Sequence, residues 1–127
     1  MKGMFVNSDG CVPYAEAIVS GAKVIETRSR DTLWRLDGER VAVIRTRRGK
    51  APTIIGYVTI NGRMWCEARN FGAWRNGHLI PEGSKYDAGN RGKWLYFLDD
   101  PEECKPYPLP ADAVRHGRSW AEFAICR

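Results

Sequence analysis

Val12-Pro13-Tyr14-Ala15-Glu16-Ala17-Ile18-Val19-Ser20-Gly21-Ala22-Lys23-Val24-Ile25-Glu26-Thr27-Arg28 joins a short helix to a strand and sets Lys, Glu and Arg within six residues. Pro13 belongs in the first helical turn, where its missing N–H costs nothing, and Gly21 supplies the left-handed stop. The spacing therefore predicts a helix over 13–20 and a sharp reversal at Gly21. From Val24 onward the alternation of Val24, Glu26, Arg28 against Ile25, Thr27 has the period of a half-buried strand. Glu26 and Arg28 then share one face. Lys23 falls on the other face of a regular strand, so it joins them only if the turn or a bulge re-aims it.

Outward from this stretch the chain reads as short strands with bends. Met4-Phe5-Val6 forms a first strand, Arg40–Arg45 a third, and Thr53–Ile60 a fourth adjacent to it, with Gly56 marking a bulge or corner in mid-strand. Asn61-Gly62 before Met64-Trp65-Cys66 is a hairpin signal. From Glu67 to Asn90 the pattern is irregular, which predicts a long loop with short helical pieces in which Trp74 and Tyr86 form a lid. Lys93–Leu98 is the strongest strand, apolar on both faces, and belongs at the centre of a sheet. The run Pro106-Tyr107-Pro108-Leu109-Pro110 reads as an extended crossing segment rather than a central strand. One early helix followed by five or six bent strands defines a small α+β fold on a mainly antiparallel barrel, an open sheet packed on the helix being the alternative.

The chain has 127 residues, 43% hydrophobic and 28% charged, which suits one soluble domain (1–127) with its own core and no membrane span. The N-terminus carries no apolar stretch of signal length before Asn7-Ser8-Asp9-Gly10, so a cytoplasmic location is expected. Cys11, Cys66, Cys104 and Cys126 are widely spaced without a C-x-x-C pair, so free thiols are expected and neither a metal site nor a cofactor is indicated. His78 and His116 stand alone and read as surface or capping residues rather than ligands or bases. The net charge of +5 is concentrated: between Lys23 and Lys50 lie nine basic and four acidic residues, while the remaining 11 of each sign cancel. An arginine-rich surface of this kind draws polyanions by counterion release and forks onto phosphate, making nucleic acid the expected partner. A solvated basic face is the other reading.

The run Ala17–Arg28 resembles the signature of ASCH domains, G-x-K-x-x-E-x-R after a short helix, and the late Gly117-Arg118-Ser119-Trp120 fits as well. The resemblance implies a PUA-like β-barrel with the short helix packed at one end. It also implies a cleft beside the motif, association with RNA or modified bases, and hydrolysis in some members. A branch that removes acyl groups from N4-acetylcytidine uses a Lys and, three residues on, a Thr; here that second position is Glu26. An RNA-cleaving branch matches at Lys23 and Ser119.

In chemical terms, Lys23 and Arg28 can hold a phosphate or oxyanion while Glu26 accepts from a base edge or activates water. A structural ion network is the competing reading. Lys23, Glu26 and Ser119 are thus the candidate catalytic residues. Arg28, Arg30, Trp34, Arg45, Arg47, Arg48 and Tyr86 are the candidates for binding RNA or a nucleotide-like ligand, because aromatic faces among arginines are what splayed bases stack on. Trp65, Trp94 and Trp120 are expected in the core. Hydrolysis of RNA or an acylated nucleoside, and a protein-interaction role for the basic face, are the alternative functions.

Overall fold

The first helix, α1 (Tyr14–Ser20), follows Pro13 and ends at Gly21, whose φ of 86° lets its N–H turn back to the Ile18 carbonyl at 3.1 Å. The computed structural model describes residues 1–10 and 12–125, so Cys11 and Cys126 lie outside the described residues. Tyr14, Ala15, Ile18 and Val19 form the buried stripe of α1 and pack it on a sheet of seven strands. In chain order these are β1 (Lys2–Asn7), β2 (Ile25–Arg28), β3 (Arg40–Thr46), β4 (Thr53–Glu67), β5 (Gly92–Pro108), β6 (Val114–His116) and β7 (Trp120–Glu122). Their spatial order is β2-β5-β4-β3-β1-β7-β6, with only β1 and β3 parallel.

No strand pairing among the described residues closes this sheet, whose edges are β2 and β6. What the structure establishes is a mixed, mainly antiparallel α+β sheet rather than a sealed barrel. With only four residues, β2 presents a free edge. Across from it the β1 backbone is reached by a side chain, Arg28 Nη2 donating to the Phe5 carbonyl at 2.6 Å. The curl that brings these two strands opposite each other comes from β4 and β5, whose pairing shifts register between Ile54 and Gly56, Tyr57 and Thr59, and Ile60 and Arg63.

Gly56 is the corner its position predicted. A Cβ there would lie 2.6 Å from Val19 Cγ1 and closer still to the Glu102 carbonyl, so only glycine admits α1 and β5 at once. Around this point the larger core joins Met4, Val6, Ile18, Val41, Val43, Val58 and Tyr96 under α1. Phe5, Ala42, Ile44, Ile54, Ala121 and Phe123 form a smaller cluster.

Three expectations are corrected. Asn61-Gly62 is not a hairpin: β4 runs through it to Glu67 and stays paired with β5, because the strongly apolar β5 offers a longer ladder than a fold-back would. Gly62, at φ 107°, forms a bulge held by Asp37 Oδ1 on its N–H and by Asn61 Nδ2 on Asp99 Oδ2, each 2.8 Å. Pro106 and Pro108 lie inside β5 rather than in a crossing segment. They are tolerated because β5 pairs there with β4 alone, β2 having reached no further than Phe97. Trp65 is 39% exposed rather than core, because β3 stops pairing at Thr59 and leaves the end of β4 as an edge; Trp94 is only half-buried against the margin of the core, and Trp120 is buried as expected.

The stretch read as irregular contains α2 (Ala68–Phe71), a 3-10 turn at Gly72–Trp74 and α3 (Arg75–His78). It docks beside β2, with the Val24 N–H on the Gly77 carbonyl at 2.9 Å and Trp74 edge-on to Phe97 at 5.6 Å. No helix among the described residues is long and apolar enough to cross a membrane.

Candidate functional site

Lys23 escapes strand alternation because it precedes the strand. After Gly21 reverses the chain, the Lys23 N–H bonds to the Ala17 carbonyl at 2.9 Å, and regular pairing begins only at Ile25. The turn aims the side chain inward, where it is 2% exposed. Its ammonium donates to the His78 carbonyl, lies 3.9 Å from Glu26 Oε1 and sits 4.9 Å from the centre of the Tyr14 ring. Burial pushes the Lys23 amine down to about 8, with the Glu26 charge opposing the shift and Arg28 adding to it.

Glu26 is 7% exposed and well supplied with donors. Its Oε1 accepts the Thr27 N–H at 3.2 Å, and its Oε2 accepts Arg28 Nε at 3.2 Å and Nη2 at 2.9 Å. Since the same Nη2 reaches Phe5, a continuous chain of polar contacts runs from the end of α1 through Lys23, Glu26 and Arg28 to β1.

This chain forms one wall of a cavity of about 390 Å³ between β1 and the free edge of β2. Phe5, Val6 and Asn7 line the opposite wall, and Tyr14, Ile80 and Tyr86 supply the apolar and aromatic surface. Tyr86 stands edge-on to Tyr14 at 5.8 Å, its hydroxyl accepting from Asn7 Nδ2 at 2.9 Å. Lys93 and Arg118 add two more cations; Lys93 Nζ donates to Ser29 Oγ at 3.1 Å, and burial lowers its pKa. Four cations therefore surround one carboxylate, a positive cavity that retains a strong acceptor.

The structure thus brings Lys23, Glu26, Arg28 and Tyr86 into one cleft and leaves other candidates outside its lining. Ser119 is one of these: its carbonyl accepts the Phe5 N–H at 3.0 Å, and the neighbouring Arg118 faces the cavity in its place. Arg30 is exposed just beyond the lining residue Ser29, and Arg47 and Arg48 are exposed just beyond the lining residue Thr46. Arg45 is half-buried opposite Val6. Trp34 is 53% exposed with the Arg35 guanidinium 5.0 Å over its ring, and it does not line the cleft. Asn7, Tyr14, Lys93 and Arg118 were not legible as site residues. Of these, Tyr14 and Arg118 stood inside the motif-like stretches, whereas Asn7 and Lys93 stood at a turn and at the start of a strand whose local pattern gave no sign of a site.

His78 serves the site through its backbone. Its Nδ1 accepts the Ile80 N–H at 3.0 Å, which places the proton on Nε2 facing the Phe71 carbonyl at 3.0 Å, and the ring stacks on Phe71 at 4.1 Å. Burial lowers its pKa, so the neutral ring anchors the loop that presents the carbonyl to Lys23. His116 stacks on Trp120 at 3.8 Å. Cys66 and Cys104 are free thiols, both pushed up by burial. Among the described residues no group of three or more His, Cys, Asp or Glu side chains is placed to hold a metal ion.

The curled, mixed, mainly antiparallel sheet with α1 packed on it has the fold of ASCH domains of known structure. The ASCH protein of Zymomonas mobilis superposes with a TM-score of 0.68 at 22% identity, over 84% of this chain and 73% of that one. A Ser-to-Ala variant of the same protein gives a TM-score of 0.67 at 23% identity, over 84% of this chain and 74% of that one. A Tyr-to-Phe variant gives 0.67 at 23%, over 86% and 77%. No family model matches the chain, and no curated protein does.

Proposed function

We propose that the cleft between β1 and β2 binds RNA or a modified nucleotide, one nucleotide entering the cavity and the rest of a strand lying on the basic rim. The observation that carries this reading is the convergence of Lys23, Glu26 and Arg28 in one positive cavity with aromatic walls. Its volume of about 390 Å³ falls in the small-ligand class and has room for a single nucleotide. Arg28, Lys93 and Arg118 meet phosphate or sugar oxygens. Tyr86 offers a ring, and Glu26 Oε1, held by the Thr27 amide and the long contact to Lys23, accepts from an amino edge of a base. Arg30, Arg47 and Arg48 follow the strand outside.

The test is equilibrium binding of short single-stranded RNA across salt and pH. About three phosphate contacts give a slope near −2, hence a fall of roughly 20-fold between 50 and 200 mM salt. Affinity also falls as pH rises from 7 to 9, because the Lys23 ammonium is lost near 8. Replacing Arg47 and Arg48 by Ala weakens binding without changing base preference. Binding that is indifferent to salt, pH and these substitutions would refute the reading and favour a protein partner for the basic face.

One observation supports a hydrolytic reading beside this one. An amine held at about 8 next to a carboxylate is partly unprotonated near neutrality and can take a proton from water or another nucleophile. Glu26→Gln separates the two: a hydrolase acting on RNA or an acylated nucleoside loses turnover while retaining its ligand, whereas a binding domain changes only in affinity.

A further inference from the structure

Arg28 stands at the head of a row that leaves the cleft. It pairs in register with Trp94 of β5, and Trp94 pairs with Trp65 of β4, so the three side chains share one face of the sheet. Two strand steps of about 4.8 Å carry the row roughly 10 Å from Arg28 to Trp65. The indoles meet edge to face at 6.0 Å, and the Arg63 guanidinium lies 5.3 Å from the Trp94 ring centre. Trp65 Nε1 donates to Glu67 Oε1 at 3.2 Å, which satisfies its one donor and pins the ring, and the residue is 39% exposed. Arg63 is itself held by Asp31 and Asp37, so it extends the stacking plane rather than serving as a free phosphate binder.

Resting on the nucleotide-binding reading of the cleft, we infer that the Trp94–Trp65 row is a second stacking platform. Its occupant is the single-stranded RNA flanking the nucleotide held beside Arg28, which makes the ligand a strand rather than a free mononucleotide. Roughly 10 Å is about three stacked nucleotide steps at ~3.4 Å each, so bases near the cleft nucleotide reach the exposed indole. Continuity with the cleft through Arg28, together with the alternation of indole and guanidinium, favours RNA over a protein on this face. Stacking of this kind is sequence-tolerant, because every base has a π face.

The test compares wild type, Trp65→Ala and Trp65→Phe against two probes: the four ribonucleoside 5′-monophosphates singly, and six-residue homopolymeric ribo-oligonucleotides. Wild type binds the preferred hexamer more tightly than its monophosphate. Trp65→Ala weakens the hexamer about 10-fold and leaves the monophosphate within twofold, as loss of one stacked base predicts. Trp65→Phe retains most of the hexamer affinity. Equal hexamer affinity in wild type and Trp65→Ala, with monophosphate binding intact, overturns the platform and leaves the cleft standing; absence of both probes' binding in wild type overturns both. A wild-type dimer that Trp65→Ala dissociates, with hexamer affinity unchanged, also overturns the platform and assigns this face to a second copy of the chain.

Discussion

Replacing Lys23 by Met raises the melting temperature while abolishing ligand binding in the cleft. Lys23 is 2% exposed and its pKa stands at about 8 against 10.5 in water, so the folded site disfavours the charge by roughly 3 kcal/mol. Met is similar in length, flexible enough to fill the same channel, and carries no charge to desolvate. Glu26 keeps its Arg28 fork and the Thr27 amide, and the losses are the bond to the His78 carbonyl and the contacts with Tyr14 and Glu26 Oε1. The expected net gain is about 1–2 kcal/mol, or on the order of 5 °C for a chain of this size. The pH dependence gives a second readout. Between pH 8 and 10.5 the unfolded chain holds a proton that folded Lys23 has shed, so this residue's contribution makes stability rise with pH across that window. Subtracting the Lys23→Met curve from wild type isolates that rise from the other titrating groups. A variant less stable than wild type, or a difference curve that is flat from pH 8 to 10, would show that Lys23 is a structural cation.

Arg28→Ala is expected to be the most damaging substitution in the site. It removes both bonds to Glu26 Oε2 and the bond to Phe5, leaving a carboxylate that is 7% exposed with the Thr27 amide and an ammonium 3.9 Å away. Breaking a buried pair on one side costs about 3–5 kcal/mol, because the surviving charge stays desolvated. Adding Glu26→Gln recovers part of the loss, since a neutral amide needs no guanidinium. Arg28→Lys recovers little: one ammonium cannot fork onto the carboxylate and also reach the β1 carbonyl. Urea unfolding of the two single variants and the double variant checks this. A loss under about 1 kcal/mol for Arg28→Ala would mean that water replaces the guanidinium and that the seam does not depend on it.

Local rules made much of this fold legible. Pro13 and Gly21 bracket α1 because their backbone constraints act within a turn, and Gly56 marked the corner because a strand glycine is costly unless something approaches closely. Lys23 is the instructive residue: period two placed it on the wrong face, and Gly21 provided the escape that the structure uses. Long-range competition was not legible. Asn61-Gly62 is a good local turn that lost to the longer ladder with β5, and Trp65 became exposed because β3 ended too early to cover it. Similarly, Asn7, Lys93 and Arg118 enter the cleft only because distant strands curl together, whereas Trp34, strongly basic in its local sequence, lies outside the lining. Net positive charge points to polyanions as a class but locates no surface for one.

Amide chemical-shift mapping on isotopically labelled protein shows where on the sheet a nucleotide sits. On titration with the ribonucleoside monophosphate that binds best, the largest shifts are predicted at Phe5, Val6 and Asn7 on one wall, at Thr27 and Ser29 on the other, and at Tyr86 above them, with Lys23→Met erasing them. Shifts confined to the Arg47–Lys50 turn and the neighbourhood of Trp34, with both cleft walls unmoved, would contradict the account.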